Sequence, residues 1–216
     1  MVVSYRTGPV LVDCLTAILA EPGLAEVILV DNGNDPEQCA AIDAMAREDP
    51  RLVVLGGHGN IGFAAACNLG AERARGHYLL LLNPDCVIAR GTLRRAMNVF
   101  EQHPKATLLG VRLLRADGTD QRGSRRNLPT PWICLVESLR LDRLAPAHPH
   151  FIRLNLHNRP PPPGVSEVQC ISGAFMMMRH ASFVALGGLD PNYFLHVEDI
   201  DLCMRVARWR PGAVLE

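Results

Sequence analysis

The chain has 216 residues, enough for one substantial core or for one domain with a smaller lobe attached. Hydrophobic residues make up 48% and aromatic residues 5%, a globular rather than a disordered composition. The 22 Lys and Arg equal the 22 Asp and Glu, so the basic excess that binding to a phosphate backbone needs is missing and nucleic acid is not an expected partner.

The first hundred residues alternate between two periodicities. VVSY (2–5) reads as a strand, GPVLVDCLTAIL (8–19) as a helix, and AEVILVD (25–31) as a strand ending in an acid. A helix is expected over 36–48, a strand over 51–55, a helix over 62–74, a strand over 77–82, a helix over 92–103 and a strand over 106–114. Repeated strand–helix units with short, continuously apolar strands imply an α/β fold, a mostly parallel sheet with helices on both faces.

The pattern then changes. Residues 116–131 are rich in turn formers and Arg, and 140–164 carry His148, His150 and His157 before RPPPPG. Pro160 to Pro163 can join neither a sheet nor a helix interior and read as a stiff extended connector. Residues 116–165 therefore read as a loop-rich insertion, after which 168–188 give a strand and a helix. The longest apolar run, YLLLL (78–82), is far below the ~20 residues that span a bilayer. No leader pattern opens the chain, and seven Cys without a C-x-x-C pair suit a reducing compartment. The expectation is a cytoplasmic protein, at the inner face of the membrane if anywhere on it, with at most peripheral membrane contact.

The stretch LGGHGNIGFAAA (55–66) contains Gly57, Gly59 and Gly62 in G-x-G-x-x-G spacing between a strand and a helix, the form of a dinucleotide cradle. Position argues against that form, because two strand–helix units precede it and the first turn, YRTGP, lacks the glycines. Asn60 and Asn68 draw attention instead, since amides near a helix start can read a base, a ribose or a sugar.

Three groups of acids stand where strands end or a helix begins. Asp31 ends VILVD, Asp85 follows LLLLNPD, and Glu198, Asp199 and Asp201 sit in HVEDIDLC. A turn or a helix cap explains any one of them alone. Asn83 and Asp85 in NPD also form an oxygen-only pair suited to Mg²⁺ that keeps waters and takes phosphate oxygens. The acids of HVED, after Tyr193 and Phe194, suit a general base beside a substrate pocket, with Ile200, Cys203, Met204 and Ala207 on the buried helix face. Arg122, Arg125 and Arg126 either grip a phosphate or lie in a solvated loop, and the run Met176 to Met178 reads as core.

The order VVSYR, VILVDNG, NIGFAAACNLGAERARGHYLLLLNPD and SGAFMMMRHASFVALGGLDPNYFLHVEDIDLCMR resembles the inverting nucleotide-sugar glycosyltransferases of family 2, which have the GT-A fold. Within that family the chain is most similar to the bacterial branch that includes rhamnosyltransferases of surface polysaccharides. The resemblance implies that Ser4, Tyr5 and Asp31 line the nucleobase and ribose site and that Asn60, Gly62 and Asn68 form the donor-side loop. It further implies Asn83 on the donor, Asp85 as the ligand of Mg²⁺ or Mn²⁺, Gly173 and Ala174 near the sugar, and Asp199 with Glu198 as the acceptor base.

By that resemblance the partners are a UDP- or dTDP-sugar donor and a glycan or lipid-linked glycan acceptor, in cell-surface polysaccharide synthesis. Residues 1–114 would form the donor-binding half and 115–216 the acceptor-side half of one domain, and no motif fixes an oligomeric state. The family pattern continues past the acidic helix with a Gly-aromatic turn, a strand and a His. A chain ending in WRPGAVLE is therefore expected to be truncated. Two other readings stay beside the transferase: a catalytically impaired nucleotide-binding member of the family, and an NAD-linked oxidoreductase built on the glycines.

Overall fold

The computed structural model describes residues 1–144, 148–156, 160 and 163–216. The chain runs β1 (Val2–Ser4), α1 (Val10–Leu19), β2 (Val27–Asp31), α2 (Pro36–Glu48), β3 (Leu52–Leu55), α3 (Phe63–Arg73), β4 (Tyr78–Leu82), α4 (Thr92–Gln102) and β5 (Leu108–Leu109). It continues with β6 (Arg125–Arg126), α5 (Pro131–Leu139), β7 (Cys170–Ile171), β8 (Phe175–Arg179), α6 (His180–Ala185), α7 (Glu198–Trp209) and β9 (Val214–Leu215). The seven-stranded sheet has the order β3-β2-β1-β4-β8-β5-β9, and β6 pairs with β7 in a separate ribbon. All neighbours in the large sheet are parallel except those of β8, which runs antiparallel to both β4 and β5.

Alternating side chains send each strand into two cores. Val3, Ile28, Val30, Leu81, Met176 and Met178 face α3, α6 and α7, packing on Ala64, Cys67, Phe183, Leu202 and Val206. Val2, Val27, Leu29, Leu82, Phe175 and Met177 face α1, α2 and α4, packing on Leu11, Leu15, Ile42, Leu93 and Phe100. Helices thus cover both faces, and the three consecutive methionines of β8 are core residues divided between the two layers. Buried Met and Leu side chains of this kind each contribute roughly 1.5–3 kcal/mol of transfer free energy.

Four expectations are corrected by the structure. The strand over 106–114 shrinks to Leu108–Leu109, because the chain leaves the sheet at Gly110, where a Cβ would stand 2.7 Å from the Ile171 side chain, and turns back through a Leu114–Asp120 bridge. The 116–165 segment is not merely loop: Thr130 Oγ1 accepts a hydrogen bond from Ile133 N and Pro131 occupies the first turn, which starts α5. The strand of 168–188 is two strands, because β7 pairs with β6 and the chain breaks at 172–174 before β8 enters the sheet. The buried face of α7 runs through Glu198, Leu202, Cys203 and Val206, a register shifted from the expected one.

The strand β9 follows the acidic helix and pairs in parallel with β5, so one part of the expected continuation is present. His157, Pro161 and Pro162 lie outside the described residues, and with the last two half of the expected polyproline connector.

Candidate active site

The parallel strands β1, β2 and β4 end on one edge of the sheet, and their loops carry Tyr5, Asn32 and Asn83. Because β8 is reversed, the loop that precedes it, Ser172–Ala174, arrives at the same edge, where Ala174 O accepts a hydrogen bond from Asn83 N at 3.0 Å. The first turns of α3 and α7 open there too. The result is a cavity of about 620 Å³ whose lining includes Tyr5, Asn32, Asn60, Gly62, Asn83 and Asp85 together with Arg126, Gly173, Ala174, Phe194, Glu198 and Asp199. Ligands bind at this carboxyl-terminal edge in open α/β sheets.

Asp199 is the most constrained group in the cavity. Its Oδ2 accepts hydrogen bonds from Gly173 N at 2.9 Å and from Arg126 Nη2, with which it forms an ion pair, while Oδ1 accepts from Ile200 N at 2.7 Å. Gly173 packs tightly against it, since a Cβ would stand 3.3 Å from Asp199 Cβ and would need that side chain to yield by a few tenths of an ångström. Glu198 is the opposite case: it is 7% exposed, and its Oε2 is buried without a hydrogen-bond partner among the described residues. Burial pushes its carboxyl pKa above the ordinary range, and the neighbouring Asp199 charge adds to the shift. His196 and Val197 precede the helix in left-handed backbone, φ 71° and 74°, which stores strain at the mouth of the cavity.

Asp85 also lines the cavity, is exposed, and makes no hydrogen bond or ion pair among the described residues. Asn83 O accepts from Cys86 N at 3.1 Å, so NPD is a turn that presents the carboxylate. No group of three His, Cys, Asp or Glu side chains gathers around it among the described residues. A single free carboxylate still fits Mg²⁺ or Mn²⁺, which takes one or two protein oxygens and fills its shell with water and phosphate.

The donor-side loop is held by amides. Asn60 Oδ1 accepts from Gly62 N at 3.0 Å, and Asn32 Nδ2 donates to Gly62 O at 3.2 Å and to Asn60 Oδ1 at 3.4 Å. Asn32 itself is buried, and its Oδ1 has no hydrogen-bond partner among the described residues. Sequence inspection passed over this residue, although its place directly after a strand-ending acid in VDNG was a usable signal.

Three of the expected site residues do not line the cavity. Ser4 is buried and accepts a hydrogen bond from Asn34 Nδ2 at 2.6 Å. Asp31 Oδ1 closes a turn by accepting from Gly33 N at 2.8 Å and from Asn34 N and Nδ2 at 2.9 Å. Asn68 spends its whole amide on the backbone of Leu189, donating to its carbonyl at 2.7 Å and accepting from its N–H at 2.9 Å. Arg126, which a solvated loop would have left in water, is half of an ion pair, and Arg125 pairs with Glu216 at 3.2 Å.

The glycine spacing is not a dinucleotide cradle. A Cβ on Gly57 or Gly59 would meet no described atom within 4 Å, and of the three spaced glycines only Gly62 lines the cavity. The preceding strand, β3, is an edge strand of the sheet.

The family model described as glycosyl transferase family 2 matches residues 1–184. The chain belongs to glycosyl transferase family 2. Among curated proteins, this family 2 chain is 25% identical over 235 residues to an N-acetylglucosaminyl-diphospho-decaprenol L-rhamnosyltransferase of Mycobacterium tuberculosis, covering 95% of this chain and 69% of the relative. It is 26% identical to the low-salt glycan biosynthesis hexosyltransferase Agl10 of Haloferax volcanii, covering 86% of this chain and 54% of that one.

Two solved structures share its GT-A fold. They are GalNAc-T7 with UDP, GalNAc and Mn²⁺ (TM-score 0.69, 15% identity, 99% of this chain and 41% of that one) and the mannosyltransferase PcManGT of Pyrobaculum calidifontis with GDP-Man and Mn²⁺ (TM-score 0.65, 16% identity, 99% and 54%). The chain thus spans about half the length of the solved chains it matches and somewhat more of the mycobacterial relative. No described helix is long and apolar enough to cross a membrane.

Proposed function

We propose that the chain transfers a sugar from a UDP- or dTDP-linked donor to a hydroxyl of a glycan or lipid-linked glycan, with inversion at the anomeric carbon. The observation that carries this reading is that one cavity is lined both by Asp85, whose carboxylate is exposed and unengaged among the described residues, and by Asp199 with Glu198. One in-line displacement needs a group to take a proton and a group to steady the departing charge, and no covalent nucleophile.

In this reading Tyr5, Asn32 and the loop of Asn60 and Gly62 hold the nucleoside. The unpartnered Oδ1 of Asn32 suits a base that offers an N–H, as uracil and thymine do. Ser4 and Asp31 act from below by shaping the 32–34 turn. Asn83 and Asp85 meet the diphosphate, and Asp85 would hold Mg²⁺ or Mn²⁺. That ion, when bound, supplies positive charge against the leaving diphosphate.

Gly173 and Ala174 leave room beside the sugar. Asp199 accepts the proton of the attacking hydroxyl as its oxygen bonds to the anomeric carbon and the bond to the diphosphate breaks. Residues 1–114 serve the donor and 115–216 the acceptor. The rhamnosyltransferase named above supports a deoxyhexose donor and a lipid-linked acceptor. With such an acceptor the chain works at the inner membrane face in surface-polysaccharide synthesis.

A panel of UDP-, GDP- and dTDP-sugars, scored for transfer to diphospholipid-linked and free glycan acceptors, tests the proposal. Transfer from a UDP- or dTDP-sugar with an inverted product is the expected result. Absence of transfer from every donor, or a retained anomeric configuration, overturns it.

A further inference from the structure

Arg126 reaches the cavity from the segment that sequence reading took for a loop. Backbone holds it on both sides: in the ribbon it stands opposite Cys170 of β7, and it forms a further bridge to Asn155. Its side chain is only 16% exposed. The Nη2 group donates to Ile171 O at 2.8 Å and to Asp199 Oδ2, while Nε is buried without a hydrogen-bond partner among the described residues. The guanidinium is therefore anchored to the protein at the same nitrogen that grips the carboxylate. With Gly173 N on the same oxygen, Asp199 Oδ2 is fully engaged, which leaves Oδ1 as the oxygen able to accept another proton.

We propose that Arg126 is a positioning residue for the transfer reaction, an assignment that rests on the transferase reading above. The guanidinium fixes the plane of the Asp199 carboxylate so that Oδ1 meets the acceptor hydroxyl. When that oxygen takes the proton, Asp199 loses its charge and Arg126 loses its counterion. An uncompensated cation is then left in the cavity in the same step in which the leaving diphosphate gathers negative charge. The insertion thereby contributes a residue of its own to the catalytic centre.

The test measures kcat, acceptor KM and donor Kd for Arg126→Ala and Arg126→Lys, with and without millimolar guanidinium chloride. Arg126→Ala is expected to lose about 100-fold in kcat while donor Kd stays within about threefold, since misplacing a reacting group acts on turnover rather than on binding. Arg126→Lys keeps charge without the planar fork and recovers part of the loss. Added guanidinium restores turnover to Arg126→Ala and leaves the wild-type protein and Asp199→Asn unchanged, a response that a purely structural arginine does not give.

Wild-type turnover in Arg126→Ala, a fall in donor affinity that matches the fall in kcat, or no response to guanidinium by a folded variant overturns the assignment. Should Arg126→Ala not fold, the split between kcat and donor Kd in Arg126→Lys decides it. A wild-type chain that transfers no sugar overturns the transferase reading itself, an outcome distinct from wild-type transfer that survives the loss of Arg126.

Discussion

Gly62 and Phe194 touch so closely that a Cβ on Gly62 would stand 2.9 Å from both the ring Cδ2 and the carbonyl oxygen of Phe194. The same carbonyl accepts a hydrogen bond from Phe63 N at 2.9 Å, so the first turn of α3 and the strap before α7 are pinned to each other in the cavity lining. Gly62→Ala therefore meets a steric clash on top of its left-handed backbone, φ 84°. Gly57→Ala, with φ 87° and open space around it, meets the backbone cost alone, about 1–2 kcal/mol. Urea unfolding should show Gly62→Ala as the more destabilised of the two by at least ~1 kcal/mol. Equal losses would mean that the strap does not press on the glycine.

Asp85→Asn removes the free carboxylate but keeps its shape. Thermal stabilisation by UDP or dTDP is expected to increase on adding Mn²⁺ in the wild-type protein and to become independent of Mn²⁺ in the variant. Nucleotide binding that is indifferent to metal in the wild type removes Asp85 from the ligand role.

Asp199→Asn should keep donor affinity and lose ~10²–10⁴-fold in transfer, the range that a positioned base contributes. Isothermal titration with the donor and a turnover assay separate the two quantities. Loss of both together would place Asp199 on the donor rather than on the acceptor.

Glu198 gives the protein a pH signature. Its folded pKa is raised above the ordinary 4.5 by burial, so between that value and the raised one the folded chain holds a proton that the unfolded chain has released. Stability therefore falls as pH rises through this window. Glu216, also raised by burial, adds a contribution of the same sign. Asp49 and Asp117, whose pKa values are lowered by hydrogen bonds from Arg51 and Thr119, titrate below the window. Glu198→Gln should flatten part of the decline in denaturant titrations run from pH 4.5 upward, and an unchanged slope would show that the Glu198 carboxyl is not desolvated.

Asn68→Ala breaks the two hydrogen bonds to Leu189 and leaves that backbone buried and unpaired, at a cost of roughly 1–3 kcal/mol. Donor affinity should hold, because the amide does not line the cavity. A variant of normal stability with weakened donor binding would return Asn68 to the donor-side loop.

Most of the sheet could be read from the sequence because its strands are short apolar runs set between helices with periodic faces. The range Pro36–Glu48 for α2 matches the sequence reading, helped by a proline at its first turn. What failed to show was long-range. Nothing near SRRN says that Arg126 will meet Asp199 across the ribbon, and nothing in LGVRLL says that Ile171 will fill the space beside Gly110. The start of α5 was visible, since a threonine cap before a proline is a local signal, but the surrounding Arg and Gly masked it. At the site, the acids and glycines of the motifs could be read by type and order. Which of them turn inward, as Asn32 does, and which brace the walls, as Asn68 does, depends on partners far along the chain.

The reversed strand β8 also decides how the molecule can be made. Leu82 pairs with Phe175 and Tyr78 with Arg179, so the inner edge of β4 stays bare until the ribosome has delivered more than half of the chain beyond it. Through that interval YLLLL offers an unpaired apolar edge to any neighbouring nascent chain. β5 has no sheet to join before β8 arrives, since its other neighbour, β9, comes later still. Aggregation during synthesis should thus depend on how quickly residues 115–174 are translated, and a fragment cut before Phe175 should need a chaperone that the longer chain can release.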